Sequence, residues 1–296
     1  MTIHLLFDGD ILAYRAGFAA EKRVYFDKRL PRNGGELFDY KKEALRHIPE
    51  EFLAWERELQ PLGHALENCK NLIKKSIKFL SQHYSADATY VCFLTGNDEK
   101  PNFRASVDLN YKKNRDPANK PTYLQEIKDY ILLHHNGYTT QGCEADDFFG
   151  HAQSDAIKNG TLPIIVGVDK DLKQLAGMHF NVSTQELEHI SQAHADSVFW
   201  RQMLEGDRAD NITGVSGIGK IKAERYVPLG TPFEEAKEKV IEFYKTEFKE
   251  GWEEKFNNNC DLLWIWRKIP DQCPFKLQRK EENKEVGGDS PIQISV

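Results

Sequence analysis

Paired cysteines, long apolar runs and an excess of basic residues are all missing from this chain of 296 residues. No apolar stretch approaches the roughly 18 residues of a membrane span, so no membrane-crossing helix is expected. The five cysteines (Cys69, Cys92, Cys143, Cys260 and Cys273) are odd in number and never spaced C-x-x-C. Reduced thiols in a cytoplasmic compartment are therefore expected, rather than a disulfide framework. The N-terminus runs straight into His4-Leu5-Leu6-Phe7-Asp8, without the basic segment, apolar run and cleavage site of a signal peptide. No internal repeat is visible. Hydrophobic content of 40% and charged content of 29% describe an ordinary soluble protein, one large domain or two modest ones. The net charge of −6 argues on its face against a polyanionic partner. A nucleotide-binding P-loop is also disfavoured. Gly214 to Lys220 fits the first seven positions of G-x-x-x-x-G-K, but Ile221 stands where Ser or Thr should hold Mg²⁺, and Asp-Arg-Ala-Asp-Asn precedes the loop instead of a buried strand.

What the chain does have is carboxylates at punctuated places. Asp207 and Asp210, at i and i+3, would share one face of a helical turn and could grip one cation. Glycines 214, 217 and 219 follow, allowing a tight turn and a close backbone approach to a ligand. The amides that open a helix over Lys220–Tyr226 suit an anion such as a phosphate. A ligand-free helix–turn–helix is the plainer alternative for this stretch. Residues 3–7 form an apolar strand ending at Asp8, where open α/β sheets place their sites, although such an aspartate also caps a following helix. Glu144-Ala145-Asp146-Asp147 opens a helix running to about Lys158. Capping accounts for acidic residues there, but three carboxylates in four residues repel one another unless a cation relieves them. Pro163 to Val168 is a buried strand followed by Asp169-Lys170-Asp171, whose aspartates share a face if the chain stays extended. Two divalent cations among these groups would cancel about four negative charges, which weakens the objection from net charge.

Between Arg104 and Lys120 the balance is locally basic: Arg104, Lys112, Lys113, Arg115 and Lys120 against Asp108 and Asp116. With Phe103 and Tyr111 interleaved, the stretch suits single-stranded nucleic acid; a solvated charged face is the alternative. Further strands are expected over 88–94 and 178–182. Helices are expected over about 41–59, 64–83, 122–135, 196–204 and 232–270. Residues 21–63, with a turn at Pro31-Arg32-Asn33-Gly34-Gly35, read as an insertion without evident chemistry. His134 and His135 read as surface residues, Trp252, Trp264 and Trp266 as core, and 281–296 as a disordered tail.

In this order, Asp8, Phe103-Arg104, Tyr111-Lys112-x-x-Arg115, Glu144-Ala-Asp-Asp147, Asp169-Lys-Asp171, Gly206-Asp207-x-x-Asp210 and Gly214-Val-x-Gly-Ile-Gly219 resemble the 5′-nuclease (flap endonuclease) superfamily. The stand-alone 5′-to-3′ exonucleases of tailed bacteriophages are the nearest in kind. The likeness spans about residues 3–227. It implies a PIN-like α/β core with a mostly parallel sheet flanked by helices (1–190), a helical arch over about 104–125, and a helical duplex-binding region with a helix–three-turn–helix (191–280). It further implies two Mg²⁺ or Mn²⁺ ions held by Asp8, Glu144, Asp146, Asp147, Asp169, Asp171, Asp207 and Asp210. Catalytic roles fall to Lys112, Arg115, Asp169 and Asp171. DNA contacts fall to Arg104, Tyr111, Lys112, Arg115, Gly214, Val215, Gly217, Gly219 and Lys220, with a K⁺ ion at the helix–three-turn–helix. The implied substrate is double-stranded DNA with a 5′ end, flap or nick, or an RNA–DNA hybrid. The implied enzyme is a monomer working in DNA replication or primer removal, in the cytoplasm of an infected bacterial host. The family's aspartate at the end of the second core strand is replaced by Thr95-Gly96-Asn97-Asp98, and Asp98 is the substitute considered. A PIN-type ribonuclease and a catalytically inactive structure-specific DNA-binding protein are the rivals.

Overall fold

The computed structural model describes residues 2–30, 35–96, 101–274 and 276–277. The expectations for Asp98, for the tail from 281 and for most of the turn at 31–35 lie outside the described residues.

In chain order the elements are β1 (Thr2–Asp8), α1 (Gly9–Phe18), β2 (Glu21–Asp27), α2 (Lys41–Ala44), β3 (Leu53–Leu59), α3 (Leu62–Tyr84), β4 (Asp87–Thr95), α4 (Phe103–Val107), α5 (Leu124–His134), β5 (Gly137–Thr140), α6 (Asp146–Lys158), β6 (Leu162–Gly167), β7 (Gly177–Asn181), β8 (Glu186–Ile190), α7 (Gln192–Glu205), β9 (Gly206–Asp207), β10 (Ile212–Thr213), α8 (Lys220–Tyr226), α9 (Phe233–Phe248) and α10 (Trp252–Leu263). Six strands form one sheet in the order β5-β4-β1-β6-β7-β8, parallel throughout except for the β7–β8 pair.

Alternation along β1 explains the layers. Ile3, Leu5 and Phe7 join Leu12, Ala16, Ile73, Leu80, Ile127 and Ile131, so α1, α3 and α5 cover one face. Leu6 points the other way, to Phe93, Phe149 and Ile165 beneath α6. A second apolar cluster lies in the C-terminal helices around Trp200, Tyr244, Phe256 and Trp264, and it takes in Tyr111. Strand β1 is flanked by β4 and β6, with Asp8 opposite Phe93 and Phe7 opposite Val166. Chain order therefore reverses at β1, and the carboxyl ends of β1, β4 and β6 open onto one crevice, the usual binding place of such sheets.

Several expectations change. The helix over 41–59 is only α2; Leu53–Leu59 instead pairs antiparallel with Glu21–Asp27 to make a separate hairpin. The cause is cross-strand pairing with a distant segment, which overrides the local helical pattern. The 232–270 stretch is helical as far as Leu263, and residues 264–270 are irregular. His135 is buried, its ring packed against Tyr130. The basic stretch after residue 103 is one short helix, α4, followed by turns and a 3₁₀ segment at Pro117–Asn119.

Candidate active site

Asp8 ends β1, buried, and its Oδ1 accepts the Ile11 N–H at 2.9 Å, so it caps α1. It also faces other acids. Burial foremost, then the charges of Asp10 and Asp169, push its carboxyl up to about 8 against the opposing backbone hydrogen bonds. Gly167, at the end of β6, leaves room beside it: a Cβ there would lie 3.2 Å from the Asp8 Cβ. Asp146 opens α6, and its carboxyl is raised well above the ordinary range by burial and by the charges of Asp8, Asp169 and Glu144. It makes no hydrogen bond or ion pair among the described residues. Asp171 is pushed up to about 7, mainly by burial and then by Asp169. Asp169 is raised too, again chiefly by burial.

The chain is not extended between Asp169 and Asp171. Asp169 Oδ1 accepts the Asp171 N–H at 2.8 Å, forming a tight turn from which a 3₁₀ segment starts. Nor do Asp207 and Asp210 share a helical turn. They lie on and beside a small β9–β10 hairpin, where Asp207 Oδ1 accepts the Ala209 N–H at 2.7 Å and the Asp210 N–H at 3.3 Å. A short acidic side chain that bonds its own backbone two residues on favours a turn over a helix.

Over this floor lies the basic arm. Lys112 Nζ rests on Glu144 Oε1 and is 3.6 Å from Asp210 Oδ2. Arg115 pairs with Asp210 Oδ1. The single hydrogen of the Tyr111 hydroxyl is shared between Glu144 Oε1 at 3.2 Å and Asp210 Oδ2 at 3.1 Å. Asn102 Nδ2 adds a third donor to Glu144 at 3.0 Å. Burial alone would raise the Glu144 carboxyl, but Lys112 and Arg104 outweigh it and hold it below the ordinary value. Among the described residues no three acidic, histidine or cysteine side chains converge in the geometry of a metal site. The arm's cations and the backbone amides engage Glu144, Asp210, Asp169 and Asp207 instead.

Two expected site residues satisfy each other. The Arg104 guanidinium, 3% exposed, grips Asp147, 0% exposed, at 2.6 and 2.8 Å. It also donates to the backbone carbonyls of Leu262 and Trp264, at 2.9 and 2.8 Å. Arg104 is thus out of reach of DNA, and the Asp147 carboxylate is consumed by the pair, which ties α4 and α6 to the end of α10. Breaking one side of a buried pair leaves an uncompensated charge, which typically costs about 3–5 kcal/mol. Arg104→Met and Asp147→Asn should each lose about that much in urea unfolding of the metal-free protein. A loss of activity at unchanged stability would instead mean that Asp147 belongs to the chemistry.

The glycine turn also divides. A Cβ on Gly214 would meet Gly206 N and Leu204 O at 2.4 Å, so this glycine serves internal packing. Val215 is 7% exposed within the C-terminal cluster and is core, not contact surface. Gly217 (φ +69°), Gly219 and Lys220 are exposed, and a Cβ at either glycine would meet nothing within 4 Å. Three polar groups went unnominated in the sequence. Asp10 accepts the Thr95 N–H at 3.0 Å and pairs with Lys128 at 2.7 Å. Lys170 Nζ lies 3.5 Å from Asp207 and 3.9 Å from Asp171. Gln202 donates to Asp171. Asp10 had a visible signal in Asp8-Gly9-Asp10 and Lys170 in Asp169-Lys170-Asp171; Gln202 had none.

A mostly parallel sheet that collects acidic side chains at the ends of its central strands, beneath a basic arm, defines an α/β nuclease. Residues 43–200 match the family model described as the 5′-3′ exonuclease, N-terminal resolvase-like domain, and the chain belongs to this family. Over 240 residues it is 28% identical to the 5′-3′ exonuclease of Mycoplasma genitalium, covering 74% of this chain and 69% of that one. Over 239 residues it is 29% identical to the 5′-3′ exonuclease of Mycoplasma pneumoniae, with the same coverages of 74% and 69%. The fold is similar to that of the T5 D15 protein co-crystallised with metal ions, at a TM-score of 0.51, 16% identity and 88% coverage of both chains.

Proposed function

We propose that this nuclease hydrolyses phosphodiesters from DNA 5′ ends with divalent metal ions, and that it also cuts flaps, nicked duplex and RNA–DNA hybrids. The observation that carries the reading is Asp146, a carboxylate with no donor among the described residues that faces Asp8 and Asp169. Such a group is tolerated when a cation can take up its charge. Asp8, Asp146, Asp169 and Asp171 would hold two ions, joined by Glu144, Asp207 and Asp210 as Lys112, Arg115 and Lys170 move off them. Oxygen-only donors fit Mg²⁺ or Mn²⁺. Bound there, the ions supply activation of water and neutralisation of the leaving 3′-oxygen.

The chain's own residues do the rest. Lys112 and Arg115 transfer their charge from the acids to the scissile phosphate and stabilise it as negative charge builds. Tyr111, already bonded to both Glu144 and Asp210, keeps these two oriented while the cations move. The exposed turn from Ser216 to Lys220 lies against the duplex backbone, with a K⁺ ion at the same turn. The separate apolar clusters support a core over about 1–190 that carries the arm, and a duplex-binding region over about 191–280. The protein acts as a monomer in phage DNA replication or primer removal.

The test is cleavage of a 5′-labelled flap, a nicked duplex and a single-stranded RNA with Mg²⁺, Mn²⁺ or EDTA. Metal-dependent cutting of the two duplex substrates is expected. Cutting of the RNA alone would favour a PIN-type ribonuclease, and tight duplex binding without cutting would favour an inactive DNA-binding protein.

The raised carboxyls make a pH prediction. Asp8 and Asp171, at about 8 and about 7, bind protons in the folded chain that the unfolded chain has released. Their contribution to stability is therefore complete below the unfolded value and is lost as pH rises through about 7 to 8. Ions must displace those protons, so the rise in melting temperature on adding Mn²⁺ should be small near about pH 6 and several degrees larger near about pH 8.5. A gain independent of pH would contradict the assignment.

A further inference from the structure

Behind Asp171 runs a chain of two buried amides. Gln202 Nε2, on α7, donates to Asp171 Oδ1 at 2.6 Å. Gln202 Oε1 accepts from Gln174 Nε2 at 2.5 Å. The same Gln174 nitrogen donates to the Leu263 carbonyl at 2.8 Å, and Gln174 Oε1 accepts the Ile265 N–H at 3.3 Å. Gln174 and Gln202 are 1% and 4% exposed, so water does not substitute for these partners.

A side-chain amide has a donor end and an acceptor end, and only its partners decide which way it faces. A main-chain carbonyl and a main-chain N–H cannot exchange roles. The backbone at Leu263 and Ile265 therefore fixes Gln174, Gln174 fixes Gln202, and Gln202 must present hydrogen, not a lone pair, to Asp171. The polarity of the chain is set some way from the acidic site and delivered to it.

We infer that Gln174 and Gln202 form a positioning relay that ties one oxygen of Asp171 and leaves the other for the ions, coupling the segment after α10 to the site. The inference rests on the metal-binding reading above. Satisfying two buried glutamines within the core is the competing explanation. It would accept any replacement that packs, whereas a relay requires the hydrogen-bonding ends.

The experiment is a Mn²⁺ titration of DNA-free protein followed by electron paramagnetic resonance, for wild type, Gln202→Met, Gln174→Met and the double variant, with circular dichroism to confirm folding. Loss of a partner that orients a metal ligand typically weakens metal affinity about 10–100-fold. Both single variants should show a loss of that size, and the double variant no more than the larger single loss, because the two act in series. If wild type binds no Mn²⁺, the reading of the site fails and the relay with it. If wild type binds and a folded Gln202→Met binds equally well, the relay alone is overturned. Should Gln202→Met not fold, Gln174→Met decides, since it leaves the Asp171 contact in place. Failure of both to fold would assign the amides to the core and overturn the proposal.

Discussion

Asp146→Asn should abolish metal-dependent cleavage, by at least about 10³-fold, and at the same time stabilise the metal-free protein. The first effect follows from the proposed reading, in which Asp146 holds ions that would supply several kcal/mol of transition-state stabilisation, where about 4 kcal/mol is a thousandfold. The second follows from the surroundings of Asp146. Its carboxyl is raised by burial and by Asp8, Asp169 and Glu144, so the charged form destabilises the fold. For a raised acid, stability is full while the group is protonated in both states and falls as pH rises towards the folded value. The gain from asparagine should accordingly be absent near about pH 4 and grow as the solution becomes alkaline. Duplex binding in EDTA should be unchanged or tighter, since one negative charge is gone. A residue that only shaped the fold would lose stability and activity together; the account requires opposite signs. Urea unfolding across pH, together with single-turnover cleavage, measures both.

Lys112→Met should slow single-turnover cleavage about 10²–10³-fold at saturating DNA, the scale of losing one well-placed donor to developing charge. Lys112 is not a ligand, yet its ammonium rests on Glu144 and lies 3.6 Å from Asp210. A divalent ion must compete with that ammonium, so Mn²⁺ should bind the variant more tightly than wild type. Recovery of the rate at high DNA concentration would reduce Lys112 to a binding role. Weaker Mn²⁺ binding would mean that the ammonium helps to organise the acids.

Much of the candidate site's placement was legible because its acids stand at strand ends. Apolar runs at 3–7 and 163–168 located β1 and β6, and the topology of an open parallel sheet brings Asp8 and Asp169 to the same crevice. Partner choice among charged residues was not legible. Arg104 and Asp147 looked like a DNA contact and a metal ligand, and they are each other's partner 43 residues apart. Local backbone geometry was hidden in the same way: Asp169 and Asp207 each fold back on amides two residues on, where the sequence suggested an extended strand and a helical turn. The β2–β3 hairpin escaped because its strands pair with each other rather than with the main sheet, across residues such as Tyr25 and Trp55. The glutamine relay gave no signal at all. Gln174 and Gln202 are 28 residues apart, and nothing in either local sequence points to the other.

The most direct measurement is anomalous diffraction from crystals of the protein soaked in Mn²⁺. The account predicts two peaks in the crevice at the ends of β1 and β6, bounded by Asp8, Asp146, Asp169 and Asp171, with Lys112 withdrawn from Glu144 and Asp147 still held by Arg104. A peak on Asp147 with Arg104 displaced, or no peak in the crevice at Mn²⁺ concentrations that support cleavage, would contradict it.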